Sequence, residues 1–226
     1  MITPIVYILC IAGMAIQANF IIIEHKKKYV PAVILKGSAS VVFVLIGALG
    51  YAACLDNSFG KMVFIGLILG AVGDVLLNLR FVFEKIGQKI FLAGIAAFLA
   101  GHILYLFALV PRCETPYGCA LFGIVLAAII LKNIFSTMEV KKAFVAFGVV
   151  YVSAVLIMTC MAFGALATEI NTTNILYSIG AVCFAVSDIV LIYNTFGAEQ
   201  TYGKRIANLS LYYIGQLLIA TSLFFA

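Results

Sequence analysis

Two acidic residues stand where carboxylates are expensive. Asp74 lies in GAVGDVLLN, residues 70–78, and Asp188 in FAVSDIVLI, residues 184–192, each inside an otherwise apolar run. A charged side chain near a bilayer centre costs about 2.5–3.5 kcal/mol on insertion scales, so an intramembrane aspartate calls for a function. Two carboxylates sharing one apolar enclosure cannot both ionise cheaply; one holds its proton while the other stays charged, which sets an acid beside a base. That pairing suits hydrolysis through an oxocarbenium-like cation, the logic of glycosidases: one group protonates the substrate and the other activates water or stabilises the cation. It also suits a proton- or cation-coupled transporter or sensor, and an intramembrane aspartyl protease. The protease reading is the weakest, because Ala71 stands at the first glycine of a GxGD motif, Ser187 rather than tyrosine precedes Asp188, and no PAL triplet occurs.

The elements that must position these groups are membrane helices. Of the 226 residues 65% are apolar and only 10% charged, and the mean hydropathy is +1.20, a composition that no soluble domain of this size tolerates on its surface. Runs of roughly 20 apolar residues, each long enough to cross a hydrocarbon core of about 30 Å, fall near 3–23, 30–54, 62–79, 89–110, 117–135, 143–167, 172–195 and 205–225. The predicted fold is therefore all-α, a polytopic bundle of eight transmembrane helices forming a single integral membrane domain, 1–226. Connections are short, so any chemistry belongs inside the bundle. The first run ends at Glu24 and His25 without a small-residue cleavage site and reads as a permanent helix. Lys26, Lys27, Lys28, Arg80, Lys85, Lys89, Lys141, Lys142, Lys204 and Arg205 flank the odd-numbered connections, against Lys61 and Arg112 on the even ones. The positive-inside rule then puts the odd connections in the cytoplasm and both termini on the non-cytoplasmic side. The net charge of +5 thus reports topology, and with no basic soluble face a nucleic-acid partner is not expected. Six cysteines carry no CxxC and no metal spacing; Cys113 and Cys119, near the fourth connection, are the one pair placed for a disulfide.

An offset of 114 residues carries Asp74 onto Asp188, Gly101 and His102 onto Gly215 and Gln216, and Phe98 onto Tyr212. Helices three and four thus match seven and eight, which predicts two parallel four-helix repeats, 1–113 and 114–226, related by an axis along the membrane normal. Stripes at helical spacing point the polar groups inward: Gly66, Gly70, Asp74 and Asn78; Gly94, Phe98, His102 and Tyr105; Asn208, Tyr212 and Gln216. Counting about 1.5 Å per residue, Asp74 and Asp188 lie within two turns or so of the cytoplasmic helix ends, at depths like those of Lys36 and Tyr151. The expectation is a cavity opening toward the cytoplasmic leaflet, lined by Asp74, Asp188, Lys36, Tyr151 and Tyr212, with His102 and Gln216 deeper.

GAVGDVLL, FLAGIAAFLAGHILY (residues 91–105), FAVSDIVLIYNTF (residues 184–196) and LYYIGQLLI (residues 211–219) resemble, in order and spacing, four signature blocks of the YhhN-type lysoplasmalogenase family of eight-helix membrane proteins. The likeness is weakest in the first and fifth helices, and Lys36 precedes Gly37 where the family's second-helix lysine usually precedes proline. The resemblance implies hydrolysis of the vinyl ether of a 1-alkenyl lysophospholipid to a fatty aldehyde and glycerophosphoethanolamine or glycerophosphocholine. Asp74 and Asp188 would be catalytic, the substrates a lysolipid and water, and no metal or organic cofactor is called for, because vinyl ethers are acid-labile. Lys36 would bind the lipid phosphate, neutralise the aspartates or snorkel to the surface. Tyr105, Tyr151, Tyr212 and Gln216 would orient head group or water, or else make interhelical hydrogen bonds; His102 is a site residue or a satisfied packing histidine; Asn78 and Ser187 would support the neighbouring aspartates. Short loops point to a bacterial cytoplasmic membrane.

Overall fold

The computed structural model of the protein describes residues 4–138 and 142–226, apart from the side chains of 142–144. Lys141 and the side chain of Lys142, both counted in the charge asymmetry, lie outside the described residues. Eight long helices follow one another: α1 Pro4–His25, α2 Tyr29–Ala53, α3 Asn57–Leu79, α4 Gly87–Leu109, α5 Pro116–Thr137, α6 Lys142–Thr168, α7 Thr172–Phe196 and α8 Tyr202–Ser222, with 3-10 turns at Glu84–Ile86, Val110–Arg112 and Leu223–Phe225. No strand occurs among the described residues. Each helix is long and apolar enough to span a bilayer, where backbone N–H and C=O groups must be satisfied within the segment itself. The protein is a multi-pass integral membrane protein.

Boundaries follow caps more closely than hydropathy. α3 begins five residues before the expected 62, because the Asp56 carboxylate accepts the Phe59 N–H at 3.1 Å and so stabilises a polar first turn. Asn171 caps α7 through the Asn174 N–H at 2.8 Å, and Thr201 caps α8 through the Lys204 N–H at 3.3 Å, which starts that helix at Tyr202 rather than 205.

Neighbours along the chain pack as pairs, α1 on α2, α3 on α4, α5 on α6 and α7 on α8; α2 also meets α3, and α6 meets α7. Between the halves of the chain the main contacts are α2 on α8 and α4 on α6, with α1 and α3 also touching α8. Glycine lets the tightest pairs close. A Cβ on Gly101 would lie 3.1 Å from the Gly66 carbonyl oxygen, and one on Gly215 would lie 2.8 Å from that of Gly180, so α3–α4 and α7–α8 approach almost backbone to backbone. Large apolar side chains such as Ile8, Ile11, Leu121 and Phe122 are exposed on the outside, a belt suited to lipid. The Cys113 and Cys119 thiols are free and their sulfurs lie 3.6 Å apart.

Candidate active site

Lys36 is the most telling polar residue, being 1% exposed in the middle of an apolar helix. Its amine does not snorkel. Nζ lies 3.3 Å from Asp74 Oδ1 and donates to Gln17 Oε1 at 3.5 Å, with the Tyr212 ring beneath it at 4.3 Å from Nζ to centroid. One turn further along α2, the Ser40 hydroxyl donates to Asp74 Oδ2 at 2.6 Å, and Tyr212 on α8 donates to the same oxygen at 2.8 Å. Asp74 therefore collects an ammonium and two hydroxyls from two helices, the surroundings of a carboxylate.

Asp188 is placed differently. Its Oδ2 accepts the Tyr151 hydroxyl at 2.7 Å, and no cation pairs with it among the described residues. Both aspartates nonetheless line one cavity, about 1010 Å³ counted with its open mouth, together with Lys36, Tyr151, Tyr212 and Asn78. Gln17, itself buried on α1, donates back to the Leu209 carbonyl at 3.2 Å. The first helix, where the sequence likeness is poorest, thus helps to hold the lysine.

Four of the expected site residues sit behind the cavity rather than on it. They are His102, Tyr105, Ser187 and Gln216; Phe98 and Phe184, which do line the cavity, have ring centroids 6.3 Å apart, and the Phe184 ring meets both Tyr212 at 5.3 Å and His102 at 4.6 Å. His102 Nδ1 donates to the Phe98 carbonyl at 2.8 Å, while Nε2 is buried without a hydrogen-bond partner. Tyr105 donates to Gln216 Oε1 at 3.5 Å and Gln216 Nε2 to the Tyr212 hydroxyl at 3.3 Å. These two residues link α4 to α8 and aim Tyr212 at Asp74. Ser187 does not support Asp188: its hydroxyl and carbonyl oxygens each accept the Asn208 amide at 2.9 Å, tying α7 to α8. Asn78 lines the cavity, but its amide donates to the Asp74 main-chain oxygen at 2.9 Å and leaves the carboxylate to Lys36, Ser40 and Tyr212.

Toward the helix ends, two guanidinium groups face the same cavity. Arg205 is held by both oxygens of Glu24 and by Asn208 Oδ1 at 3.3 Å. Arg80, the C-cap of α3, stacks on Phe81 and Phe91 at 4.5 Å from each centroid. Burial, then the like charge of Arg205, pulls Arg80 down to about 10, still cationic at neutral pH. Among the described residues no three His, Cys, Asp or Glu side chains gather as metal ligands would.

Sequence reasoning reached the aspartates through the cost of burying them. It missed Ser40, whose spacing of four from Lys36 was the available signal, and Gln17, a lone amide in the buried stripe of α1. Arg80 and Arg205 were counted only as topology markers.

Comparison with known proteins adds a lineage. The model of the YhhN family matches residues 32–223. The chain is 26% identical to the lysoplasmalogenase homolog of Dictyostelium discoideum, over 74% of this chain and 64% of that protein, and 27% identical to lysoplasmalogenase TMEM86A of Bos taurus, over 80% of this chain and 72% of that protein. It thus spans just under two thirds of the length of the Dictyostelium relative. No solved structure matches it.

Proposed function

We propose that this chain, which belongs to the YhhN family, is a lysoplasmalogenase that hydrolyses the vinyl ether of a 1-alkenyl lysophospholipid with Asp188 as acid and Asp74 as base. The relatives named above carry that activity in their names, and one observation supports its chemistry here: two buried aspartates line one cavity, and among the described residues a cation pairs with only one of them. Lys36, Ser40 and Tyr212 suit Asp74 to be the carboxylate; Asp188, with a single neutral hydroxyl donor, suits the role of proton carrier.

Asp188 gives its proton to the vinyl carbon beta to the ether oxygen, and the double-bond electrons form the new C–H bond. The oxocarbenium ion left at the adjacent carbon is stabilised by the Asp74 carboxylate. Water adds to that carbon as Asp74 takes its proton. The hemiacetal then collapses: its hydroxyl proton passes to Asp188, the glycerol oxygen leaves with the proton from Asp74, and both groups return to their starting states. Tyr151 and Tyr212 hold the two carboxyl groups in place, with Gln216 and Tyr105 positioning Tyr212. Lys36 acts as the counter-ion of Asp74 at the bottom of the cavity.

The test is turnover by purified protein in detergent. Aldehyde is expected from 1-alkenyl lysophosphoethanolamine or lysophosphocholine, and none from the saturated 1-alkyl analogues. Intact alkenyl lipid with both head groups would remove the reading and leave the aspartates to ion or proton coupling in a transporter.

A further inference from the structure

Arg80 is a charged donor in search of an acceptor. Its guanidinium is clamped between Phe81 and Phe91, its Nε–H is buried without a hydrogen-bond partner, and no carboxylate pairs with it among the described residues. Arg205 faces the same cavity with its side chain already fixed by Glu24 and Asn208. Among the described residues, two guanidinium groups and one carboxylate leave the mouth with an unanswered positive charge. Stacked, pre-oriented guanidinium forks are suited to a phosphate oxygen pair, and little side-chain freedom is lost on binding.

We propose that Arg80 and Arg205 form a phosphodiester site for a single-chain lipid, and that this site sets the register of the chain against the two aspartates. Spacing carries the second half of that statement. Arg80 follows Asp74 by six residues along α3 and its C-cap, an axial rise of about 9 Å at 1.5 Å per residue. Arg205 precedes Tyr212, the hydroxyl on Asp74, by seven, about 10 Å on the same rise. In a 1-alkenyl lysolipid about seven bonds separate phosphorus from the distal vinyl carbon, and an extended chain advances about 1.2 Å per bond, giving roughly 8 Å. A phosphate at the two arginines therefore brings the carbon to be protonated to the depth of the aspartates. The proposal rests on the lysoplasmalogenase reading for its substrate, but the anion site can be tested without turnover.

Binding to the purified protein is measured with three uncleavable probes: a 1-alkyl lysophosphoethanolamine, the 1-alkylglycerol of the same chain length, and chainless glycerophosphoethanolamine. The lysolipid is expected to bind at least tenfold more tightly than either of the others, and raising the ionic strength should weaken it while sparing the alkylglycerol. Arg80→Gln should cost the lysolipid at least tenfold in affinity and leave alkylglycerol binding within twofold, which also reports that the variant is folded. Equal affinity for lysolipid and alkylglycerol, chainless diester binding as tightly as the lysolipid, or equal weakening of both lipids by Arg80→Gln would overturn the site. Selective binding of the phosphate-bearing lipid without aldehyde release from the alkenyl lipid would instead sink the hydrolase reading and leave the anion site standing.

Discussion

The lysine and aspartate at the bottom of the cavity divide the labour of holding charge in an apolar bundle. Breaking such a pair from one side leaves an uncompensated buried charge, which costs about 3–5 kcal/mol. Lys36→Met should therefore lower the unfolding midpoint of the detergent-solubilised protein markedly, and adding Asp74→Asn should recover much of the loss; a Lys36→Met protein as stable as wild type would show that the pair carries no such burden. Tyr151 is the one described hydrogen-bond donor to Asp188, so Tyr151→Phe, which keeps the ring and removes the hydroxyl, should cut turnover by about tenfold, on the order of a lost bond to a charged or reacting group, with aldehyde release as the readout. The aspartates were legible in the sequence because burying them is costly whatever surrounds them. Ser40 was not, since the carbonyl four residues back, here Lys36 O at 2.9 Å, is the ordinary acceptor of a serine in an apolar helix, and only the fold brings Asp74 Oδ2 nearer, at 2.6 Å, to take the one hydroxyl proton. His102 looked like a site residue from its stripe, yet its imidazole is turned to its own helix backbone and to aromatic rings, which no spacing rule reveals.

Among the elements, the two closest helix pairs, α3–α4 and α7–α8, are the ones whose residues recur at an offset of 114. What supports the two-half reading is the recurrence of a contact. Gly66 and Gly101 meet across the first pair, Gly180 and Gly215 across the second, each at the shared offset. The cross-half contacts α2–α8 and α4–α6 exchange under the same shift of four helices. Each aspartate also draws a partner from the helix before its own, Lys36 and Ser40 on α2 for Asp74 and Tyr151 on α6 for Asp188. The sequence alone did not extend the match to those helices, because the partners differ in residue type and Tyr151 falls on Gly37, one residue from Lys36, at the offset of 114. A side chain at either glycine crossing must push backbones apart, and overpacking of that kind costs about 1–3 kcal/mol. Gly215→Leu should accordingly lower the thermal midpoint by that order, whereas Gly203→Leu, where a Cβ meets nothing within 4 Å, should leave it unchanged; equal effects at both positions would argue against the tight crossing.

At the scale of the molecule, eight spans and their number were readable from apolar run length, as was the start of α7 at 172, but the starts of α3 and α8 were not, because capping by Asp56 and Thr201 extends those helices into polar sequence that a hydropathy window rejects. An even number of spans puts both termini on one face, and from the lysine and arginine bias we propose that this face is the outside. A reporter fused after Ala226 tests this: alkaline phosphatase should be active there and a cytoplasm-dependent fluorescent protein dark, and the reverse would invert the orientation and open the cavity to the other side of the membrane. In the proposed reaction one carboxylate from each half of the chain serves a single turnover. The most direct measurement is aldehyde release from 1-alkenyl lysophosphoethanolamine by wild type, Asp74→Asn and Asp188→Asn, purified and checked for folding side by side. Removing either member of an acid–base pair is expected to cost about 10²–10⁴-fold, so both variants should fall at least a hundredfold; either one retaining more than about a tenth of wild-type turnover, against that same range, would contradict it.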